Sequence, residues 1–304
     1  MHEIHHQQEL MTHLDAKTSL SSIAVQGLDL TNLSEAIKRV EVDGALFMGC
    51  VISDELLCHL HRSGALVFPE LPDLPFKPYR PTLYTPEELF AEFDPKEPCT
   101  YCRTPDARIY RHWHNSGRDQ PDNILTTLSR RLHDHAISDG IDDFLKSVAK
   151  DRLVVAIMGG HSMERSEEAY LEIARLARNM TREGLLLASG GGPGAMEATH
   201  LGAWFADREE ADLDDAVAHL AQAGSYRDYD WLARAFEVKA KYPAPGENHV
   251  SLGIPTWLYG HEPPNPFATH IAKYFANSVR EDGLVTIAKG GIVFAPGSAG
   301  TIQE

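Results

Sequence analysis

The sequence predicts an α/β fold whose main body is a Rossmann-like, doubly wound parallel sheet with helices on both faces. Three observations in residues 151–304 predict it. Short apolar runs rich in β-branched residues alternate with helical stripes, as in a parallel sheet built from strand–helix–strand units. Those runs lack polar alternation, which marks strands buried on both faces. Three of them end in glycine-rich turns, where such sheets bind their ligands.

Taken in order, residues 1–150 predict a helical, proline-rich region. The stretch VFPELPDLPFKPYRPTLYTPEELFAEFDPKEP is too dense in proline for a continuous helix or a central strand, so it is an extended, surface-hugging connector. Short helices flank it. TNLSEAIKRV precedes it and PDNILTTLSRRLHDHAISDGIDDFLKSVA follows, the latter with Ile124, Leu125, Leu128 and Leu132 at helical spacing.

From Asp151 the pattern changes. LVVAIMGG (Leu153 to Gly160) is the first buried strand. The helix SEEAYLEIARLARNMTREG follows, with Tyr170, Ile173, Ala174, Ala177 and Met180 on one stripe and Gly184 as its stop. GLLLAS is the second strand, then a glycine cluster and a helix from about Gly194 to Ala206. HVSLGIPTW and GGIVFAPG (Gly290 to Gly297) are the third and fourth strands. Between the second and third lies an acidic helical excursion, whose Glu209, Glu210, Asp212, Asp214 and Asp215 are a solvated face rather than a metal site.

Composition bounds the function. The 304 residues are 43% hydrophobic and 24% charged, as in a soluble globular protein, with a formal charge of −16. That charge argues against nucleic acid and anionic membrane as partners, because long polyanions are held by dense Lys/Arg patches. It leaves room for a small phosphorylated ligand held by backbone N–H groups. The start MHEIHHQQELMTHLDAKTS has no signal-peptide pattern, and no apolar run approaches the ~20 residues of a membrane span. Four cysteines are too few for a disulfide scaffold, so a reduced, cytoplasmic setting is expected.

The chemistry lies in three turns: MGGHS with Gly159, Gly160 and His161; SGGGPGAMEA with Gly190, Gly191, Gly192, Gly194, Met196 and Glu197; and APGSAGTIQE with Gly297, Ser298, Ala299, Gly300 and Thr301. Glycine lets successive backbone N–H groups face one concavity, and a helix starting there adds its unpaired N–H groups and dipole. That is a phosphate cradle. Glycine serving only for close strand–helix packing is the bland alternative, and three such turns at three strand ends count against it. GxxxxGK[ST] is absent, as is a dinucleotide G-x-G-x-x-G with an acidic ribose partner, so neither a P-loop nor a dehydrogenase is expected.

GGGPGAMEA together with PGSAGTIQE resembles the paired motifs of the LOG family, whose second signature is PGGxGTxxE; its members were often labelled lysine decarboxylases. MGGHSMERSEEAY, SGGGPGAMEATHLGA and HEPPNPF resemble the long bacterial branch, the nucleotide 5′-monophosphate nucleosidases. The likeness spans Leu153 to Glu304. It implies hydrolysis of the N-glycosidic bond of a nucleoside 5′-monophosphate, giving free base and ribose 5-phosphate, with no metal or organic cofactor. It places the catalytic pair on Arg280 and Glu304. The glycine turns and Thr301 would hold the 5′-phosphate, and Glu197 the ribose or base. A homo-oligomer is expected, a dimer or larger. In this family the chain runs on past the second motif, so the sequence reads as part of a longer protein.

Two departures stand out. Ser298 occupies the second glycine of PGG, where a positive φ would cost serine on the order of 1 kcal/mol. Glu281 replaces the lysine that follows the arginine in short LOG proteins, which weakens an analogy with cytokinin activation. Without the resemblance, Arg280 would read as a solvated helix residue and His161 equally as a phosphate or base contact or a plain turn residue. The competing functional reading is a non-catalytic nucleotide- or molybdenum-cofactor-binding carrier of the same fold. A third is nucleotide-dependent regulation through the first 150 residues. Cys99 and Cys102, with His112 and His114, have spacing that can hold zinc, and Cys50, Cys58, His59 and His61 offer further partners. A second CxxC is missing, so ordinary thiols in a proline-rich loop are favoured and no metal is assigned.

Overall fold

Two all-parallel sheets carry the fold, one of four strands and one of five. The computed structural model describes residues 1–16, 19–150, 152–244, 246, 249–258 and 262–297. The chain divides into two compact units: Met1–Thr82 with Thr127–Ala136, and Leu83–Thr126 with Ile137–Glu304.

The first unit corrects the expectation of a helical, proline-rich region. Its strands β1 (His2–Ile4), β2 (Ile23–Gln26), β3 (Leu46–Met48) and β4 (Leu66–Phe68) pair in sequential order. Helices α1 (Gln7–Ala16), α2 (Ser34–Ile37) and α3 (Asp54–Arg62) connect them. Ile4, Leu10, Val25, Phe47, Leu56 and Leu60 form its core, and Ser53 caps α3 by accepting the Leu56 N–H. Strands of three or four residues are too short to set up a recognisable period. The proline-dense stretch is a connector only in part: it begins inside β4, residues 69–83 form neither helix nor strand, and Pro86–Leu89 form a short helix.

The second unit adds α4 (Pro86–Leu89), α5 (Pro105–Asn115) and most of α6 (Ile124–Ser147), whose residues 127–136 belong with the first. The stripe expected on α6 is not a core stripe at its start, where Ile124 is 82% exposed and Leu125 and Leu128 are exposed too. The Rossmann-like part follows as β5 (Val154–Met158), α7 (Glu168–Arg182), β6 (Leu186–Ser189), α8 (Ala195–Trp204), α9 (Glu210–Leu220) and α10 (Trp231–Lys241). Then come β7 (Ser251–Gly253), β8 (His270–Ile271), α11 (Asn277–Ile287) and β9 (Gly291–Phe294). Tyr170, Ile173, Ala174 and Ala177 of α7 are buried, with Met180 packed beside them, and the excursion is the helix pair α9–α10. The two-residue β8 was invisible to sequence pattern.

The strand order β8-β7-β6-β5-β9 fixes where a ligand can sit. From β5 the chain builds outward through β6, β7 and β8, then crosses back to lay β9 on the other side of β5. The order therefore reverses between β5 and β9, and in open parallel sheets that reversal opens a crevice at the strands' carboxyl ends. MGGHS and APG meet there.

Candidate functional site

The first two glycine turns converge on that crevice with Ala295 and Pro296, which lead into the third. The Gly160 N–H donates to the Pro296 carbonyl at 3.1 Å, and the Ala195 N–H donates to the Gly160 carbonyl at 3.2 Å. A Cβ on Gly159 would lie 2.5 Å from the Ala195 methyl and 2.9 Å from that of Ala295, so close packing alone demands glycine there. Gly194 precedes α8 at φ +70°, and a Cβ on it would strike the Gly160 carbonyl oxygen. Gly191, at φ +71°, is pressed against Ile254 and Pro255. Glycine thus serves close approach and a left-handed backbone in the same turns.

Buried polar groups hold the second turn. Ser189 Oγ accepts the Gly191 N–H at 3.0 Å and lies 2.8 Å from His200 Nε2, while His200 Nδ1 lies 2.8 Å from Ser251 Oγ. One chain of contacts thereby ties β6, α8 and β7 to the turn. Burial lowers the His200 pKa from 6.5 to about 3, so the imidazole is neutral. From the other side, the Asn265 N–H donates to the Gly191 carbonyl at 2.8 Å and its side-chain amide donates to the Met196 carbonyl at 3.2 Å. Met196 itself covers the turn, its sulfur 2.7 Å from where a Gly190 Cβ would be.

Glu197 is not where the resemblance puts it. Its carboxylate is fully buried, accepts both Nε and Nη2 of Arg165 at 2.8 and 2.6 Å, and accepts the Tyr170 hydroxyl at 2.9 Å. Arg165 also donates to the carbonyls of Ala223 and Trp231 and lies over the Trp231 ring. This carboxylate anchors α8 to α7 and to the excursion, and presents no oxygen to a ligand.

The rim carries the accessible charged groups. His161 Nδ1 is 3.4 Å from Glu262 Oε1. The His161 ring meets Tyr226 edge-on at 5.9 Å, and partial burial, with Arg227 adding to it, lowers its pKa. The other Glu262 oxygen lies 3.6 Å from the Cβ position of Gly192, at the mouth of the second turn. Arg280, on α11, brings Nη1 to 3.4 Å from the Cβ position of Gly190. Its guanidinium is steadied by Asn277 Oδ1 at 3.0 Å and by Glu281 Oε1 at 3.1 Å. Glu281, the departure from the LOG pattern, thus partly neutralises the arginine.

Gly159, Gly160, His161, Gly190, Gly191, Gly192, Gly194, Met196 and Arg280 are therefore brought together, with Gly297 following Pro296 at the crevice edge. Ser298, Ala299, Gly300, Thr301 and Glu304 lie outside the described residues. His112 and His114 lie on α5. Among the described residues, Cys99, Cys102, His112 and His114 do not bring three ligand atoms within 4.8 Å of one another. Sequence reasoning missed Arg165, His200, Glu262 and Asn265 as site-building residues. All four fall inside quoted motifs, MGGHSMERSEEAY, SGGGPGAMEATHLGA and HEPPNPF, and that was the available signal. No helix of the described residues is long and apolar enough to cross a membrane. No family model matches the chain, and no curated protein matches it.

Proposed function

We propose that this chain is a LOG-type phosphoribohydrolase, cleaving the N-glycosidic bond of a nucleoside 5′-monophosphate to free base and ribose 5-phosphate. The observation that carries the reading is the juxtaposition of the glycine turns at the switch point with the Arg280 guanidinium beside Gly190. Backbone N–H groups of the turns and of the first turn of α8, other than those of Gly160, Gly191 and Ala195, which donate within the protein, hold the phosphate. Arg280 neutralises charge on the bound nucleotide. Cleavage passes through an oxocarbenium-like ribosyl cation, which a carboxylate stabilises while orienting water. By resemblance that carboxylate is Glu304, and the assembly is homo-oligomeric.

The test is base release. The chain is incubated with AMP, GMP, CMP and UMP, and free base is separated from nucleotide. Release from at least one monophosphate is expected, and Glu304→Gln lowers kcat by about 10²-fold or more while ribose 5-phosphate still binds. Binding of all four without release from any would leave a carrier, not a hydrolase.

A further inference from the structure

Beside the cradle, within the same unit, lies a second cavity of about 240 Å³. Its walls are mostly aromatic, Phe93, Tyr101, Tyr226, Tyr229 and Trp231, with Pro98, Leu232 and Pro263 completing the apolar lining. The volume is below the ~300 Å³ at which pockets for whole drug-sized ligands begin, so it suits one ring system rather than a complete nucleotide. We infer that this cavity is the base subsite: it takes the planar, aromatic nucleobase of a nucleotide whose phosphate sits in the glycine cradle. The inference rests on the nucleotide reading of the cradle and names a part of the site which that reading leaves open.

Three observations support it. First, the cavity wall adjoins the cradle rim at two points. Tyr226, in its wall, packs edge-on against His161, the residue after Gly160. Pro263, also in the lining, follows Glu262, whose carboxylate lies at Gly192. Secondly, the walls are preorganised. Arg165 lies 4.3 Å from the Trp231 ring and also grips Glu197 of α8, so the helix that starts at the cradle and the aromatic wall share one anchor. The Tyr101 hydroxyl donates to Asp106 at 2.9 Å, fixing that ring as well. Thirdly, the chemistry suits a base. Every base presents π-faces that aromatic side chains stack on, and Asp228 in the lining is an acceptor for ring amines. Tyr226, Asp228, Tyr229 and Trp231 all come from the acidic excursion. That gives the insertion a role its charges did not announce.

Tyr229 is the residue to change, because it is 71% exposed and its removal leaves the core intact. Affinities for AMP, ribose 5-phosphate and inorganic phosphate are measured on the full chain, on Tyr229→Ala and on Tyr229→Phe. The wild-type chain is expected to bind AMP at least about tenfold more tightly than ribose 5-phosphate. Tyr229→Ala weakens AMP by about tenfold and leaves ribose 5-phosphate unchanged, whereas Tyr229→Phe retains AMP. Equal affinity for AMP and ribose 5-phosphate, or an AMP preference indifferent to Tyr229→Ala, overturns the inference. An AMP preference that depends on Tyr229 without base release keeps the subsite and removes only the hydrolase. Photolabelling with 8-azidoadenosine, which carries no phosphate, reads the cavity independently of the cradle. Label is expected in the segment from Tyr226 to Leu232, and label confined to other segments counts against the assignment.

Discussion

Arg165 makes four hydrogen bonds from a side chain that is 1% exposed, two to Glu197 and two to the carbonyls of Ala223 and Trp231. A buried guanidinium is tolerable only when fully paired, and the bidentate carboxylate gives the strongest geometry for it. The consequence for Glu197 is strict: remove Arg165 and a carboxylate is left inside the protein with Tyr170 as its remaining donor. Arg165→Ala is therefore expected to cost about 3–5 kcal/mol, read as a shift of the urea midpoint at unchanged slope. A loss below about 1 kcal/mol would mean that this pairing does not hold α8 in place. Motif order could not separate this anchoring glutamate from a ligand-facing one. In GAMEA the residue directly follows Met196, which does cover the glycine turn, yet neighbouring helix positions point about 100° apart.

Strands β6 and β7 and helix α8 are joined through His200, and this junction has a pH signature. The imidazole stays neutral in the fold down to about pH 3, against 6.5 for the free group. Between those values the unfolded chain binds one more proton than the folded chain. Stability from burying neutral His200 is therefore complete above about pH 6.5 and declines as pH falls towards 3, by about 1.4 kcal/mol per unit at most. His200→Gln is expected to flatten the dependence of unfolding free energy on pH between about 4 and 6, whatever its stability at neutral pH. An unchanged slope would show that another group carries the acid sensitivity. At this scale the sequence was legible where elements are long or bounded by glycine. Helix α7 with its stripe and strands β5, β6 and β9 were all readable, and with them the glycine turns after β5 and β6. It was not legible where an element is too short to have a period, as in β1 to β4 and β8. The stripe Ile124, Leu125, Leu128 and Leu132 shows the opposite failure, a helical period whose first three members are exposed.

At the scale of the whole molecule, the break expected at residue 150 does not coincide with a boundary between units. Residues 83–126 and 137–150 belong with the Rossmann-like sheet, and one buried cluster shows why. Lys273, 1% exposed, donates to Asp106 at 2.6 Å, the Trp257 indole donates to the same carboxylate at 3.1 Å, and the Tyr101 hydroxyl supplies the third bond. Burial pushes the Lys273 ammonium below its usual range and Asp106 opposes that. Tyr84 further pairs with Ile271 through two backbone bonds, giving the edge strand β8 its outer partner, and Phe144 packs on His270 at 4.5 Å. A chain beginning at Asp151 loses all of these at once. The unpaired lysine alone costs about 3–5 kcal/mol, against a total of about 5–15 kcal/mol for an ordinary domain. Such a chain is expected to show no cooperative thermal transition by calorimetry and little near-ultraviolet circular dichroism, while the full chain shows both. A cooperative transition within a few degrees of the parent would place the boundary back at residue 150 and reduce the Asp106 cluster to decoration. Short of that result, residues 83–126 and 137–150 cannot be cut away from the cradle, and their role has to be probed by point substitution.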